Sequence, residues 1–375
     1  MAVRLSDIHL ERDMKYCPHI KEAVERHRRW WAREQTDRPL IFIDFQDVGV
    51  RTTGHLSDYW EDPDGYVKSL EGPFAQHLGV RDDKIPEVRP PFSHGALPGI
   101  LGGPVSNMSG SLWAGHIFDT PDQILELKWD PDTDLGKRYV AYCRRLRELS
   151  EGKFAISTYE LPGPSQLTGS LLKMEDFILA CADEPEFLAR ICTKTSELAV
   201  AFYTWAAELV NKDQETYGGQ FQPLVWAPKD TLYWCDHTAI NFSPELFEQV
   251  LLPAVKKIHE PFEHSFMFCY PAEGPHVFPP MWRACPNLTG IHNCQGEMPG
   301  QSGAAMKSLG PEGEQKEWQY LDSLYREFAG RKSFIIKCPP ERIAHYREIF
   351  PHDAGLAIWT FAPNMGEANR IIDAL

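Results

Sequence analysis

The 375-residue sequence contains no apolar run approaching the ~20 residues that span a bilayer. Its first twelve residues mix charges throughout, so no signal-peptide core is read there. Cations are scarce: 38 Lys and Arg stand against 53 Asp and Glu, a formal net charge of −15. Such a chain repels a phosphate backbone overall, and a nucleic-acid role would need a local basic patch. The densest basic cluster, residues 26–33, also carries Trp30 and Trp31 with Glu34 beside it, and reads as the face of an amphipathic helix. The nine cysteines include no C-x-x-C pair, so they are better read as thiols or ligands than as a disulfide framework. No phosphate-binding G-x-x-x-x-G-K-[ST], dinucleotide G-x-G-x-x-G, nucleophile-elbow G-x-S-x-G or H-E-x-x-H occurs. Repeats and heptads are absent too. The expectation is a cytoplasmic globular protein with a small-molecule substrate, no nucleic-acid or membrane partner, and, on base rates, a homodimeric state.

What is present is an alternation of short apolar runs with helical segments. A helix over 20–35 stops before Pro39, and Leu40 to Phe45 follows as a strand buried on both faces. Residues 49–121, rich in Gly, Pro, Asp and aromatics, read as a long insertion serving as a lid or entrance wall. Beyond it come a helix over 134–150, a strand over 154–159, helices over 174–181 and 183–212, and a weak strand over 222–226. A helix opened by Ser243 and Pro244 runs to about 260 with a bend at Pro253. Runs at 265–269, 288–292, 334–337 and 356–361 are four more strands. Long connections between strands indicate parallel βαβ units, and seven or eight units predict a (β/α)₈ TIM barrel, one domain over 1–375 with an N-terminal helical extension over 1–38. The second strand is sought within 96–102.

A barrel of this kind places its chemistry at the C-terminal strand ends. Those ends carry Asp44, Tyr159, Tyr233 to His237, Cys269 with Tyr270, Glu273, His276, His292, Cys294, Cys338 and Trp359. Asp236 and His237 would serve as an acid–base pair with Asp44 as a further carboxylate, although Asp and His before a helix are also common loop residues. His292 and Cys294, two apart on a strand, would share a face as metal ligands, with Cys269 and Cys338 completing a zinc set; the alternative is that these thiols pack as small hydrophobes. Tyr159, Trp234, Tyr270, Glu273, His276 and Trp359 are candidates for substrate binding, their aromatics suiting a large, flat ligand.

Several segments carry a likeness to one family. They are Arg29-Trp30-Trp31 through Asp37-Arg38-Pro39-Leu40, Ala182 to Leu188 with the long helix after it, and Asn241-Phe242-Ser243-Pro244-Glu245-Leu246-Phe247 leading to Leu252-Pro253-Ala254. The closing residues 355–374, with Glu367-Ala368-Asn369, add to them. Together they resemble uroporphyrinogen decarboxylase-like proteins. The resemblance implies a (β/α)₈ barrel and one of two chemistries: cofactor-free decarboxylation of tetrapyrrole acetate arms, or methyl transfer between a corrinoid protein and an acceptor with zinc activating a thiolate. Where the decarboxylases carry an Arg-Gln-Ala-Gly-Arg motif, this chain reads Asp44-Phe45-Gln46-Asp47-Val48, which is acidic. Where the methyltransferases carry His-x-Cys-Gly, it reads Met267-Phe268-Cys269-Tyr270, matching in the cysteine alone. The expectation is therefore a methyltransferase moving methyl groups between a small methylated or methoxylated compound or a corrinoid and an acceptor, with a corrinoid protein as partner and zinc as cofactor. A decarboxylase or lyase using Asp chemistry without cofactor, and a non-catalytic tetrapyrrole or corrinoid binder, are the alternatives.

Overall fold

Helix α1 (Ile20–Ala32) buries Ile20, Ala23, Val24, His27, Trp30 and Trp31, a stripe with the three- and four-residue steps of one helix face. It ends where Arg33 turns left-handed at φ 54° and returns its N–H to the Trp30 carbonyl. Pro39 then releases the chain into β1 (Leu40–Phe45), as expected. The computed structural model describes residues 14–45, 56–108, 111–158, 161–210, 216–217, 225–227, 231–293 and 310–375.

Within the stretch read from the sequence as an insertion lie α2 (Pro63–His77), β2 (Glu87–Val88), α3 (Ala96–Ile100) and a hairpin of β3 (Val105–Met108) and β4 (Ser111–Ala114). Here the sequence reading needs correction. The second parallel strand is Glu87–Val88, while the stretch sought as a strand forms α3. A two-residue strand between Pro86 and Pro90 offers no apolar run to detect. Gly99 of α3 serves close packing: a Cβ there would come within 2.6 Å of Val105 and 2.5 Å of Leu135.

Beyond the hairpin follow α4 (Asp134–Ser150), β5 (Ala155–Ile156), β6 (Leu161–Pro162), α5 (Pro164–Leu171), α6 (Met174–Asp183) and α7 (Pro185–Val210). The weak strand near 222–226 proves to be β8 (Val225–Trp226), which pairs antiparallel with β7 (Thr216–Tyr217). The fourth parallel strand is instead β9 (Leu232–Cys235), buried throughout. Tyr203 of α7 fixes its start, donating to the Thr231 carbonyl at 2.8 Å and accepting from the Tyr233 N–H at 3.0 Å. After β9, α8 (Pro244–Leu246) is capped by the Ser243 hydroxyl, and a wide π-turn over Phe247–Leu251 leads into α9 (Leu252–His259). That turn lies just before Pro253, whose missing N–H cannot close a regular ladder. The remaining elements alternate: β10 (Ser265–Cys269), α10 (Phe278–Ala284), β11 (Leu288–Asn293), α11 (Gly310–Phe328), β12 (Ser333–Lys337), α12 (Ile343–Ile349), β13 (Leu356–Ala362) and α13 (Met365–Asp373).

Seven strands form one parallel sheet in the order β1-β13-β12-β11-β10-β9-β6, and β2 pairs in parallel with β5 in a separate ladder. This parallel order, with helices between most of the strands, is compatible with a TIM-barrel-like α/β fold. The ladder is not continuous among the described residues, and the gap beside β1 is filled by carboxylates. Asp83 accepts from the Ile41 N–H and Asp82 from the Ile43 N–H, each at 2.9 Å, while the Asp83 N–H donates to the Ile41 carbonyl at 2.8 Å. A buried strand edge needs partners for its N–H groups, and here two side chains supply them. Arg38 and Arg26, each 2.6 Å from Asp83, balance its charge.

Alternation along the strands separates the inner, lumen-side face of the sheet from the helix layer. Ile85 and Ala155 sit with Ile20 and Val24 of α1 and with Trp226 in one small apolar cluster, whereas Val88 and Ile156 belong to the main core. Glu87 and Ser157, two steps further along their strands, therefore face the lumen one layer higher. Helix α1 packs across the N-terminal ends of these strands. Trp30 Nε1 donates to the Phe334 carbonyl at 3.2 Å and Trp31 Nε1 to the Trp226 carbonyl at 2.8 Å. Gly290 of β11 makes room for the plug, since a Cβ there would lie 3.1 Å from the Trp31 indole and 2.7 Å from Phe266.

Candidate active site

Above the plug, the lumen changes character. Asp44 ends β1 and pairs with the Lys84 ammonium, and both side chains stay about a quarter exposed, 28% and 25%. Trp359 of β13 donates its Nε1–H to the same carboxylate at 2.9 Å. Burial alone would push Asp44 up; Lys84 and the Trp359 N–H outweigh it and hold the group below its ordinary value. Lys84 is shifted the other way: burial opposes its charge, but Asp44 and then Asp82 raise it. The pair is thus ionised on both sides across the neutral range. A charge pair so largely withdrawn from solvent is unusual beside the apolar core of the sheet.

Trp359 is the hub of the upper lumen. The Lys337 ammonium, ending β12, lies 4.6 Å from its ring centroid and 5.8 Å from that of Phe361. The His292 ring meets Trp359 at 5.5 Å and Phe268 at 5.6 Å. Burial, reinforced by Lys337, pushes His292 well below its usual range, so it is a neutral imidazole. Phe268, Tyr270 and His237 form a second aromatic group, with His237 5.1 Å from Phe268 and 5.3 Å from Tyr270. A deeper charged set lies at β2, where Glu87 accepts from the Ser157 hydroxyl and stands 3.4 Å from Arg89, which follows the strand.

Contiguous contacts thus link Asp44, Trp359, His292, His237 and Tyr270. The other sequence candidates fall elsewhere. Asp236 is fully buried and accepts from Ser165 Oγ at 2.5 Å, Ser165 N at 3.0 Å and Gln166 N at 3.1 Å. It caps α5 from across the fold, and Gly163 is needed beside it, since a Cβ there would lie 2.5 Å from the Asp236 side chain. Burial pushes this carboxyl up to about 6, against those donors. Its geometry is that of an anchor. Trp234 alternates with the lumen-facing Tyr233, which stacks on Phe266, and lies in the helix layer with its ring 5.1 Å from His259 of α9. His276 is held 2.8 Å from the Phe242 carbonyl, tying two loops together, and Glu273 is exposed on the rim with burial raising its carboxyl.

The metal set expected from sequence does not come together. Cys269 lies between Phe268 and Tyr270, which face the lumen, so its thiol faces the opposite side and approaches the His292 carbonyl at 3.9 Å. Cys338 follows the lumen-facing Lys337 and is buried toward α12, where burial pushes its thiol far up. His292 alone of the three faces inward. Among the described residues no three His, Cys, Asp or Glu side chains form a group that could hold a metal ion. Tyr159 and Cys294 lie outside the described residues. No candidate membrane span occurs among the described helices.

Reading strand ends from sequence missed Lys84, Glu87, Arg89, Ser157 and Lys337. Lys337 was legible, because it closes the apolar run Phe334-Ile335-Ile336 and so occupies a strand end. The others lie on or beside strands too short to show a period.

No family model matches the sequence, and no curated protein sequence matches it. In three dimensions the chain is similar to a methyltransferase from Methanosarcina mazei, with a TM-score of 0.53 and 13% identity over 94% of this chain and 97% of that one. Likeness at that identity speaks to the fold.

Proposed function

We propose that this chain is a methyltransferase-like enzyme whose small-molecule substrate sits in the upper lumen, against Asp44, Lys84, Trp359 and Lys337. The observation that carries the reading is the ionised Asp44–Lys84 pair, partly open to solvent beside a sheet that otherwise buries its side chains. The end-to-end structural likeness to a methyltransferase agrees with it.

The residues suggest how such a transfer would be assisted. When a methyl group leaves an oxygen or nitrogen, the bonding electron pair stays on that atom, and negative charge grows there. An ammonium fixed at that point, Lys84 or Lys337, stabilises the charge without reorganising. Asp44 orients Lys84 and keeps it protonated, while the Trp359 indole and the Phe268 ring offer apolar faces beside the reacting group. As co-substrate we propose a corrinoid delivered by a partner protein, meeting the half-exposed rim residues Tyr270 and His237. The zinc implied by the sequence resemblance does not fit the described donors, since Cys269 and Cys338 face away from His292, and no step uses it. A lyase built on Asp236 is disfavoured by the enclosure of that carboxylate under α5.

The test supplies methylcobalamin with thiol, phenol and amine acceptors, and the reduced corrinoid with methylated and methoxylated compounds, following the cobalt–carbon absorbance. Turnover that falls about 10²–10³-fold in Lys84→Met supports the reading. No transfer with any pair, or transfer indifferent to Lys84→Met and Asp44→Asn, overturns it and favours a non-catalytic binder.

A further inference from the structure

Asp44 and Lys84 project from two segments that share no strand ladder among the described residues. A third side chain joins them. Asp82 is fully buried, and one of its oxygens accepts at 2.9 Å from the N–H of Ile43, the residue before Asp44. The other accepts from the Lys84 N–H at 3.3 Å, the local side-chain turn that Asp forms readily. One carboxylate thus fastens both main chains from which the charge pair extends. His77 of α2 braces it, with Nε2 3.0 and 3.1 Å from the two oxygens. The same imidazole packs on Phe45, the residue after Asp44, at 5.5 Å between ring centroids. Both neighbours of Asp44 are therefore held from the helix side, which turns Asp44 itself toward the lumen.

We infer that Asp82 is a positioning residue of the reaction, setting the Lys84 ammonium and the Asp44 carboxylate against each other, with His77 as its brace. The inference rests on the methyl-transfer reading and deepens it. Asp82 acts through the two main chains it holds and through its charge.

Neighbouring Asp83 shows what a carboxylate with a purely structural task looks like here. It accepts from the Ile41 N–H, three residues before Asp44, and is balanced by Arg38 and Arg26 at 2.6 Å each. The basic groups acting on Asp82 are instead His77 and Lys84 itself. Burial pushes Asp82 up, but His77, then Lys84 and the Ile43 N–H, hold it below its ordinary value. Its charge in turn helps to keep Lys84 protonated. An ammonium fixed in this way before substrate arrives needs no reorganisation when charge develops beside it.

Two measurements on the whole protein test the inference, and the first needs no substrate. The Trp359 indole N–H donates to Asp44, so its resonance in a proton–nitrogen NMR spectrum, identified by its loss in Trp359→Phe, reports where Asp44 stands. Asp82→Asn, nearly isosteric and keeping one acceptor, should move that resonance upfield, toward its position in Asp44→Ala. His77→Phe, which keeps a ring against Phe45 and removes only the brace, should move it the same way by less. That variant decides the matter if Asp82→Asn does not fold. Asp83→Asn, which loosens the same strand edge further down, should leave the resonance in place. An unmoved resonance, or an equal shift in Asp83→Asn, overturns the inference. In turnover per folded molecule, Asp82→Asn should lower kcat about 10–10²-fold, the cost of a misplaced group. KM should stay within about twofold, because the ammonium acts on charge present only in the transition state. A raised KM with kcat unchanged, or no change in either, overturns it. If no methyl transfer is found, the reading of function fails on its own, and the resonance alone supports or overturns Asp82 as the residue that sets the pair.

Discussion

The two ends of the sheet's inner face are built on opposite principles. At the N-terminal end, Ile85 and Ala155 cluster with Ile20 and Val24 of α1, and Trp31 packs edge-on against Phe266, with Gly290 trimmed to let the Trp31 indole in. At the C-terminal end, the same strands two to four residues later carry Asp44, Glu87, Arg89, Lys337 and His292. The lower half gains stability from burial and shape. The upper half spends it, since withdrawing paired charges from water is neutral to unfavourable compared with apolar packing. Stability is given up this way where function requires it, and that contrast marks the upper lumen as the working end.

Mutations should therefore separate the halves. The largest stability effect is expected below: Trp31→Ala removes the plug's central ring and the hydrogen bond to the Trp226 carbonyl, costing about 3–5 kcal/mol in urea denaturation, with turnover per folded molecule little changed. Gly290→Ala drives a methyl into Trp31 and Phe266 and should cost about 1–3 kcal/mol by overpacking. If both are silent, α1 does not plug this end of the sheet.

A smaller and pH-dependent effect should come from the buried carboxyls. The native state holds the Asp236 proton to about 6, above the ordinary value near 4, and Glu87 is raised as well. Both states are protonated below that ordinary value, so the contribution of these groups is full there. It is lost as pH rises through the native values, because the folded state must then carry a buried charge. Asp44 and Asp82, held low, act with the opposite sign at more acidic pH. Comparing denaturation between about pH 4 and 7 checks this: Glu87→Gln should flatten the decline, and an unchanged slope would contradict a raised Glu87.

Cysteine substitutions sharpen the contrast from the metal side. Cys269→Ser and Cys338→Ser should leave metal content unchanged, because the two thiols lie on the helix side of their strands, away from His292. Elemental analysis showing zinc lost from either variant would mean that the strand faces are assigned wrongly.

Much of the frame was legible in the sequence, and the reasons are local. Leu40 to Phe45, Ser265 to Cys269 and Leu356 to Ala362 are apolar runs bounded by helix or turn signals, and such runs must be buried strands. β2 was not legible because two residues between prolines carry no period, and β9 was passed over because Tyr233-Trp234-Cys235 sits next to the polar pair Asp236-His237. The site was half legible. Strand ends located Asp44, His292 and Trp359, but which side of a strand a residue faces depends on register. One-residue differences in register sent Trp234, Cys269 and Cys338 to the helix layer. Asp236 was singled out as chemistry when its partners, the first N–H groups of α5, lie about 70 residues away in sequence.

The most direct test of the central claim needs no substrate. Asp44→Asn combined with Lys84→Met removes both charges of the open pair and keeps an acceptor for the Trp359 N–H. If the pair serves chemistry, chemical denaturation of the double variant will show stability equal to wild type or higher, within the ~1–4 kcal/mol gained when paired buried charges give way to apolar contacts. A loss of more than about 2 kcal/mol would show that these charges hold the fold together, and the upper lumen would lose its standing as the working end.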